Sequence, residues 1–335
     1  MVHWMKIYEN GNNNSIWRRN TTLFGYLSAV FSAALFGSIS TVAKPAVSDI
    51  SPILLSSLVY LIAAVVMTPI VQQRRVSSSL RLTTTAAVSS ILRKKNREIL
   101  LILLTSIAGA IIAPTLYFFG LTYTSAVHTS ILLNGEMVFT VLLAILFFKE
   151  RLRLQGYIGI SLVFVGIVIV SITDKQYFDF QVTTSLTNII LGDFLVLGST
   201  LFWAIDNNIS KIITHSGIRA TRLIQIKSGI GGTVLIVIVA VLGIPVNLNL
   251  AQVPNIILLG SAGFAASLFF FLYSLKRIGT VKTVVIFSTS SVFGVIFASS
   301  FLHEQIGIYQ IASAIIIILL GIYLINKKGN NNNGS

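Results

Sequence analysis

Across 335 residues, charged side chains make up 10% and hydrophobic ones 54%, whereas an ordinary soluble domain carries ~25% charge; such a chain belongs in a bilayer. The net charge of +14 invites a nucleic-acid reading, but the basic residues crowd into alternate loops, a bias explained without any anionic partner. No nucleic-acid partner is expected, and the absence of cysteine excludes disulfides and thiol chemistry.

In chain order, residues 1–21 are polar and Asn-rich, without a cleavable-signal pattern, and are expected to form a disordered cytoplasmic tail. A hydrocarbon core takes roughly 20 helical residues per crossing. Ten windows of about that length follow, at 22–44, 51–72, 98–119, 124–147, 155–173, 189–213, 222–243, 254–275, 281–301 and 307–325. The fold class predicted is an all-α polytopic membrane protein of ten transmembrane helices. Spans two and three are joined by a basic loop, 73–97. With the N-terminus inside, every Lys and Arg except Lys44 and Lys175 is counted to a cytoplasmic segment, including Lys211, Arg219, Arg222 and Lys227 around the start of span seven. Both termini are therefore predicted cytoplasmic, and 326–335 is a second disordered tail.

Span one turns Tyr26, Ala33, Gly37, Ser40, Thr41 and Lys44 to one face, suited to close helix packing or to a cavity wall. Span three holds Tyr117 and Pro114; a proline that deep predicts a kink, usable for gating. Span four carries Glu136 ~18 Å from its start at residue 124. An ionised side chain there costs at least ~2.5–3.5 kcal/mol and must face protein or a water-filled cavity. On an unbroken helix it shares a polar stripe with Ser125, Thr129 and Thr140, while Asn134 points the opposite way, toward another helix. Two readings of Glu136 stand: a hydrogen-bonded packing residue, or a carboxylate that exchanges a proton or holds an ammonium.

Span six begins near Asp193 and gathers Ser199, Thr200, Asp206, Asn207 and Ser210 around Trp203. A ring with a carboxylate and an amide one turn away fits a cation or amino-acid site; an interfacial Trp with a snorkelling Asp is the competing reading. Span nine has Ser288, Thr289, Ser290 and Ser291 at mid-depth, and Lys282 at its edge is expected to snorkel. His3, His128, His215 and His303 show no metal spacing, and no nucleotide or nucleophile motif occurs. No metal, cofactor or enzymatic activity is expected.

The two halves echo each other. Tyr123–Leu152 aligns without gaps on Arg277–Ile306 at an offset of 154, putting Glu150 on Glu304; Leu35-Phe36 pairs with Leu201-Phe202. Five spans is an odd number, so the second copy must be upside down. The loop after span four is basic (Lys149, Arg151, Arg153), whereas after span nine stand His303, Glu304 and Gln305. Residues 22–173 and 189–325 are thus two inverted five-helix repeats around an extracytoplasmic linker, 174–188. Inverted repeats meeting at the midplane are a recurrent architecture of secondary transporters.

On the phrase LLAILFFKERL within Leu121–Leu152, on SSFLHEQI at Ser299–Ile306, and on the Leu-Phe pairs of spans one and six, the chain resembles the EamA-type ten-helix exporters of the drug/metabolite transporter superfamily. The resemblance covers about 22–325. It implies efflux of small metabolites, with a bias toward amino acids or amines. Family members often carry Pro in the middle of spans four and nine, where Met137 and Ser291 stand, so these spans are expected to be straighter.

The expected function is a secondary-active, proton-coupled exporter in the plasma membrane, working by alternating access. Glu136 is the proton or cation site. Trp203, Asp206, Asn207, Thr129, Thr140, Tyr117, Ser288, Ser290 and Ser291 contact substrate, and Pro114 serves gating. The partners expected are a small-molecule substrate, protons and the lipid bilayer, the protein being a monomer or homodimer. A facilitator or sugar-phosphate-type antiporter is the alternative and needs cavity lysines, for which Lys44 and Lys282 are the candidates. An intramembrane enzyme or lipid-handling protein is the remoter one.

Overall fold

A computed structural model describes residues 2–73, 88–148 and 183–308, together with residues 157, 158, 161, 164, 165, 311 and 312. Every regular element among the described residues is a helix, without a strand. Helix α1 is Val2–Asp49, α2 is Pro52–Gln73 and α3 is Val88–Ser106; α3 runs through a π-helical segment, Ile107–Ile112, into α4, Ala113–Tyr123. Next come α5 (Ala126–Leu132) and α6 (Gly135–Phe148), then α7 (Thr183–His215) and α8 (Ala220–Val241). A 3-10 turn at Leu250–Gln252 leads into α9 (Val253–Leu258), a second π segment at Leu259–Ala266, and α10 (Ser267–Ile278); α11 (Thr280–Phe287) and α12 (Ser290–Leu302) follow.

Seven helical stretches among these residues are long and apolar enough to cross a membrane, and they correspond to spans one to four and six to eight. Phe31, Val65, Phe147, Phe194, Val241 and Phe301 stand exposed on the outside, as lipid-facing side chains do. Span nine is divided, its outer piece being the thirteen residues of α12. Spans five and ten fall mostly outside the described residues, as do residues 74–87 of the basic loop, 174–182 of the linker and the C-terminal tail. Helix α1 is longer than its window at both ends. It runs through Pro45 to Asp49, and its backbone is helical back to Val2 where a disordered tail is expected. Once a span supplies the nucleus, adding turns costs little.

The expectation of straighter spans four and nine is corrected. Span four breaks at Leu133-Asn134 and span nine at Ser288-Thr289, a separation that matches the repeat offset to within one residue. No proline is needed: at each break the carbonyls accept the backbone N–H three residues on, Asn134 to Ile131 at 3.1 Å and Thr289 to Ile286 at 3.0 Å, and side chains bond the same carbonyls. Asn134 Nδ2 donates to the Ile131 carbonyl at 3.0 Å, Thr289 Oγ1 to that of Ile286 at 2.6 Å and Ser291 Oγ to that of Ser288 at 3.0 Å. Helices α11 and α12 lie against α1, α12 against α5, and α6 against α7. The approach of α1 to α12 needs glycine: a Cβ on Gly37 would stand 2.3 Å from the Ser290 carbonyl oxygen.

At the end of the bundle predicted to be extracytoplasmic, charges tie the turn between α4 and α5. Lys44 Nζ donates to the carbonyls of Leu121 (2.8 Å) and Thr124 (2.5 Å), at the C-terminus of α4. The Glu304 carboxylate accepts from the amides of Ala126 (3.0 Å) and Val127 (2.8 Å), at the N-terminus of α5. Each charge complements the partial charge of the helix end it meets. Buried His128 and Asp193 join α5 to α7 beside them, 3.1 Å apart. Glu304→Ala is expected to cost about 1–2 kcal/mol, as loss of a helix cap does, and to speed hydrogen exchange at residues 126–128; unchanged exchange there would refute this capping role.

Candidate functional site

The break in span four makes the site. Glu136 is the second residue of α6, placed immediately after the break, and the change of helix phase sets it on the same side as Asn134. The prediction that Asn134 faces away assumed an unbroken helix and is corrected. Both residues line a narrow gap with Leu133, Met137, Thr140, Ser288 and Ser290.

Glu136 is 8% exposed. Its Oε1 accepts from Asn207 Nδ2 of α7 at 2.6 Å, and its Oε2 has no hydrogen-bond partner among the described residues. A buried acceptor left unsatisfied costs the full desolvation of that atom, a cost that a water, a proton or a ligand donor at that oxygen relieves. The adjoining space holds about one water and is walled by Phe36 of α1, Tyr60 of α2, Trp203 of α7, Phe264 of the second π segment, Phe271 of α10 and Phe287 of α11. The rings touch in sequence: Trp203 lies 5.7 Å from Phe36 and 6.2 Å from Phe264, and Phe287 lies 4.9 Å from Phe36 and 4.8 Å from Phe271. An aromatic box around a carboxylate suits an organic cation, which gains from ring faces and from the charge.

Asp206 also borders this space, but it is engaged. Lys227 Nζ of α8 lies 2.5 Å from Asp206 Oδ2, and both residues are 2% exposed. Ser210 Oγ donates to Asp206 Oδ1 at 3.0 Å, and the Thr105 hydroxyl of α3 donates to the same oxygen. The first π segment makes room: a Cβ on Gly109 would fall 2.2 Å from Asp206 Oδ2, and the Gly109 carbonyl accepts from the Tyr60 hydroxyl at 2.6 Å. π bulges recur at functional sites because they displace backbone in this way. Counted by sequence as a loop charge, Lys227 is in fact a buried member of the site. The legible signal was a Lys inside an apolar helix, followed by Ser228, Gly231 and Gly232, after a span that contains an Asp.

Of the residues predicted to contact substrate, the structure brings Trp203, Asp206, Asn207, Thr140, Ser288 and Ser290 to the space around Glu136. Tyr117 packs behind it, its ring 5.4 Å from Trp203. Thr129 and Ser291 are buried but do not line the space. Pro114 sits in the first turn of α4, directly after the π segment. Neither lysine candidate of the antiporter reading is at the site: Lys44 is bonded to carbonyls, and Lys282 is exposed, 5.9 Å over the Tyr26 ring. Among the described residues no cluster of His, Asp and Glu could hold a metal ion.

Two stretches, 23–172 and 190–327, each match the model of the EamA-like transporter family. The chain belongs to that family. This EamA-like transporter is 31% identical over 309 residues to an uncharacterized transporter of Methanothermobacter thermautotrophicus, covering 92% of this chain and 87% of that one. It is 24% identical over 209 residues to the uncharacterized transporter YyaM of Bacillus subtilis strain 168, covering 61% and 66%. A solved structure titled only "Crystal structure of protein" matches with a TM-score of 0.63 at 13% identity, over 92% of this chain and 96% of that one; at that identity the likeness is one of fold. The EamA-like chain is thus a multi-pass membrane transporter, with a small-molecule substrate and the bilayer as its partners.

Proposed function

We propose that the protein is a secondary-active exporter of small metabolites with an ammonium head, amines or amino acids, driven by protons across the plasma membrane. One observation carries this reading: the Glu136 carboxylate has one oxygen held by Asn207 and the other unclaimed, inside a box of aromatic rings. A proton and a substrate ammonium compete for that oxygen, and a site that takes either but not both exchanges one for the other. Trp203 and the other rings contact the substrate's body, Asn207 orients the carboxylate, and Ser288 and Ser290 offer polar contacts.

Alternating access rests on the repeat. The family model matches twice along the chain. The π segments and the helix breaks come in pairs at corresponding places in spans three and eight and spans four and nine. Contacts pair likewise: α4 packs on α7 as α10 packs on α1, while α2 packs on α8. Ten spans in two inverted repeats, both termini cytoplasmic, accommodate this pattern, and moving Lys227 from loop to span leaves the loop bias intact. The gap around Glu136 is closed to anything larger than water, as in an occluded intermediate between inward- and outward-facing states.

The test is transport in proteoliposomes with an internal pH dye, challenged with amines, amino acids and nucleobases. Proton movement that depends on an amine or amino acid and exceeds that of protein-free vesicles is the expected result. Flux without proton movement would favour the facilitator, and flux of nucleobases alone would refute the ammonium head.

A further inference from the structure

The walls of the cavity hold two carboxylates, Glu136 and Asp206, but only one of them is open. Asp206 is matched within 2.5 Å by Lys227 and takes two hydroxyls on its other oxygen. Seen from the cavity, Asp206 and Lys227 cancel, and the ionised Glu136 leaves one negative charge. A ligand with a single positive charge neutralises it. A ligand with two brings one charge more than the buried site can match, and an uncompensated buried charge is heavily penalised.

We propose that Lys227 is a specificity-determining residue: by neutralising Asp206 it narrows the substrates to those carrying one net positive charge at the site, which selects monoamines over zwitterionic amino acids and excludes diamines. This rests on the reading of Glu136 as the ammonium site, and adds to it a residue that touches no substrate. The geometry supports a role beyond packing. Gly109 must lack a side chain for Asp206 to reach its place, and Asp206, the acidic member of the ion pair, borders the aromatic box itself. Lys227 comes from α8 and Glu136 from α6, so the two charged groups are set by different helices.

Binding of butylamine and hexylamine is compared with butane-1,4-diamine and hexane-1,6-diamine, read as thermal stabilisation of the purified protein in detergent, since a ligand stabilises the state it binds. Detergent avoids the leak of neutral amines across vesicles. The wild type is expected to prefer the monoamines by about tenfold or more, the worth of one buried charge contact. Lys227→Met keeps the length of the stem and removes the charge; it is expected to turn the preference toward a diamine by a similar factor. The double variant Asp206→Asn/Lys227→Met leaves no unpaired charge and is expected to return to the wild-type preference.

Wild-type protein that binds neither monoamine nor diamine would overturn the ammonium reading of Glu136 and this proposal with it. Monoamine binding with an unchanged preference in Lys227→Met would overturn the proposal alone. Where the single variant does not fold, the double variant decides. Loss of monoamine binding there would mean that Asp206 or Lys227 holds the ligand itself, which refutes the screening role.

Discussion

Glu136→Gln is expected to abolish substrate-driven proton movement, down to the level of protein-free vesicles, and to cut amine flux about 30-fold or more. Glutamine keeps the carbonyl oxygen that accepts from Asn207 at 2.6 Å, so the contact between α6 and α7 survives, and thermal stability should change by less than about 1 kcal/mol, the worth of one adjusted hydrogen bond. What is lost is the charge at the unclaimed oxygen, and a charge-assisted contact in a buried site is worth about 2 kcal/mol or more. The variant mimics the proton-loaded carboxylate but cannot release its proton, so it stops the exchange at one step. Proteoliposome flux and the internal pH dye read both quantities at once. Amine flux and proton movement equal to wild type would return Glu136 to a packing role.

Much of this was legible from the residues. Apolar windows located spans one to four and six to eight, because a lipid-facing helix has few alternatives. Glu136 stood out since a carboxylate at mid-depth is costly unless it is used. The helix breaks were not legible. Proline is the breaker that pattern reading knows, and Met137 and Ser291 suggested continuity; the breaks instead come from Asn134, Thr289 and Ser291 bonding nearby carbonyls, which is indistinguishable in one dimension from a polar stripe on a straight helix. Extending that stripe across the break brings in Thr129 and turns Asn134 away, whereas the broken helix sets Asn134 beside Glu136. The Glu at the end of the doubled phrase was visible as a repeat mark, but its work as a cap in trans, Glu304 on Ala126 and Val127, depends on which helix ends meet. A loop-charge tally absorbs any lysine near a span's end, Lys227 among them, and nothing in the sequence then marks Asp206 in the preceding span as paired.

Breaking the Asp206–Lys227 pair one partner at a time should give the largest loss of stability in the described part of the molecule. Asp206→Asn and Lys227→Met each strand a charge among residues 2% exposed, and removing one member of a buried pair costs about 3–5 kcal/mol. The double variant replaces both charges with neutral groups of similar volume, and Thr105 and Ser210 keep an oxygen to donate to; such replacements are often neutral or stabilising. The expected outcome is therefore strongly non-additive, with the double variant outliving either single one on heating in detergent. Because the pair links α3, α7 and α8 through Thr105, Asp206 and Lys227, hydrogen exchange in the single variants should quicken at those helices, while the Glu304 cap on α5 keeps its protection. Additive losses, with the double variant the least stable of the three, would mean that the two charges are not coupled and that each side chain contributes through its own packing. The role of Lys227 would then be to hold the helices together, and the charge count at the cavity would be a by-product of that.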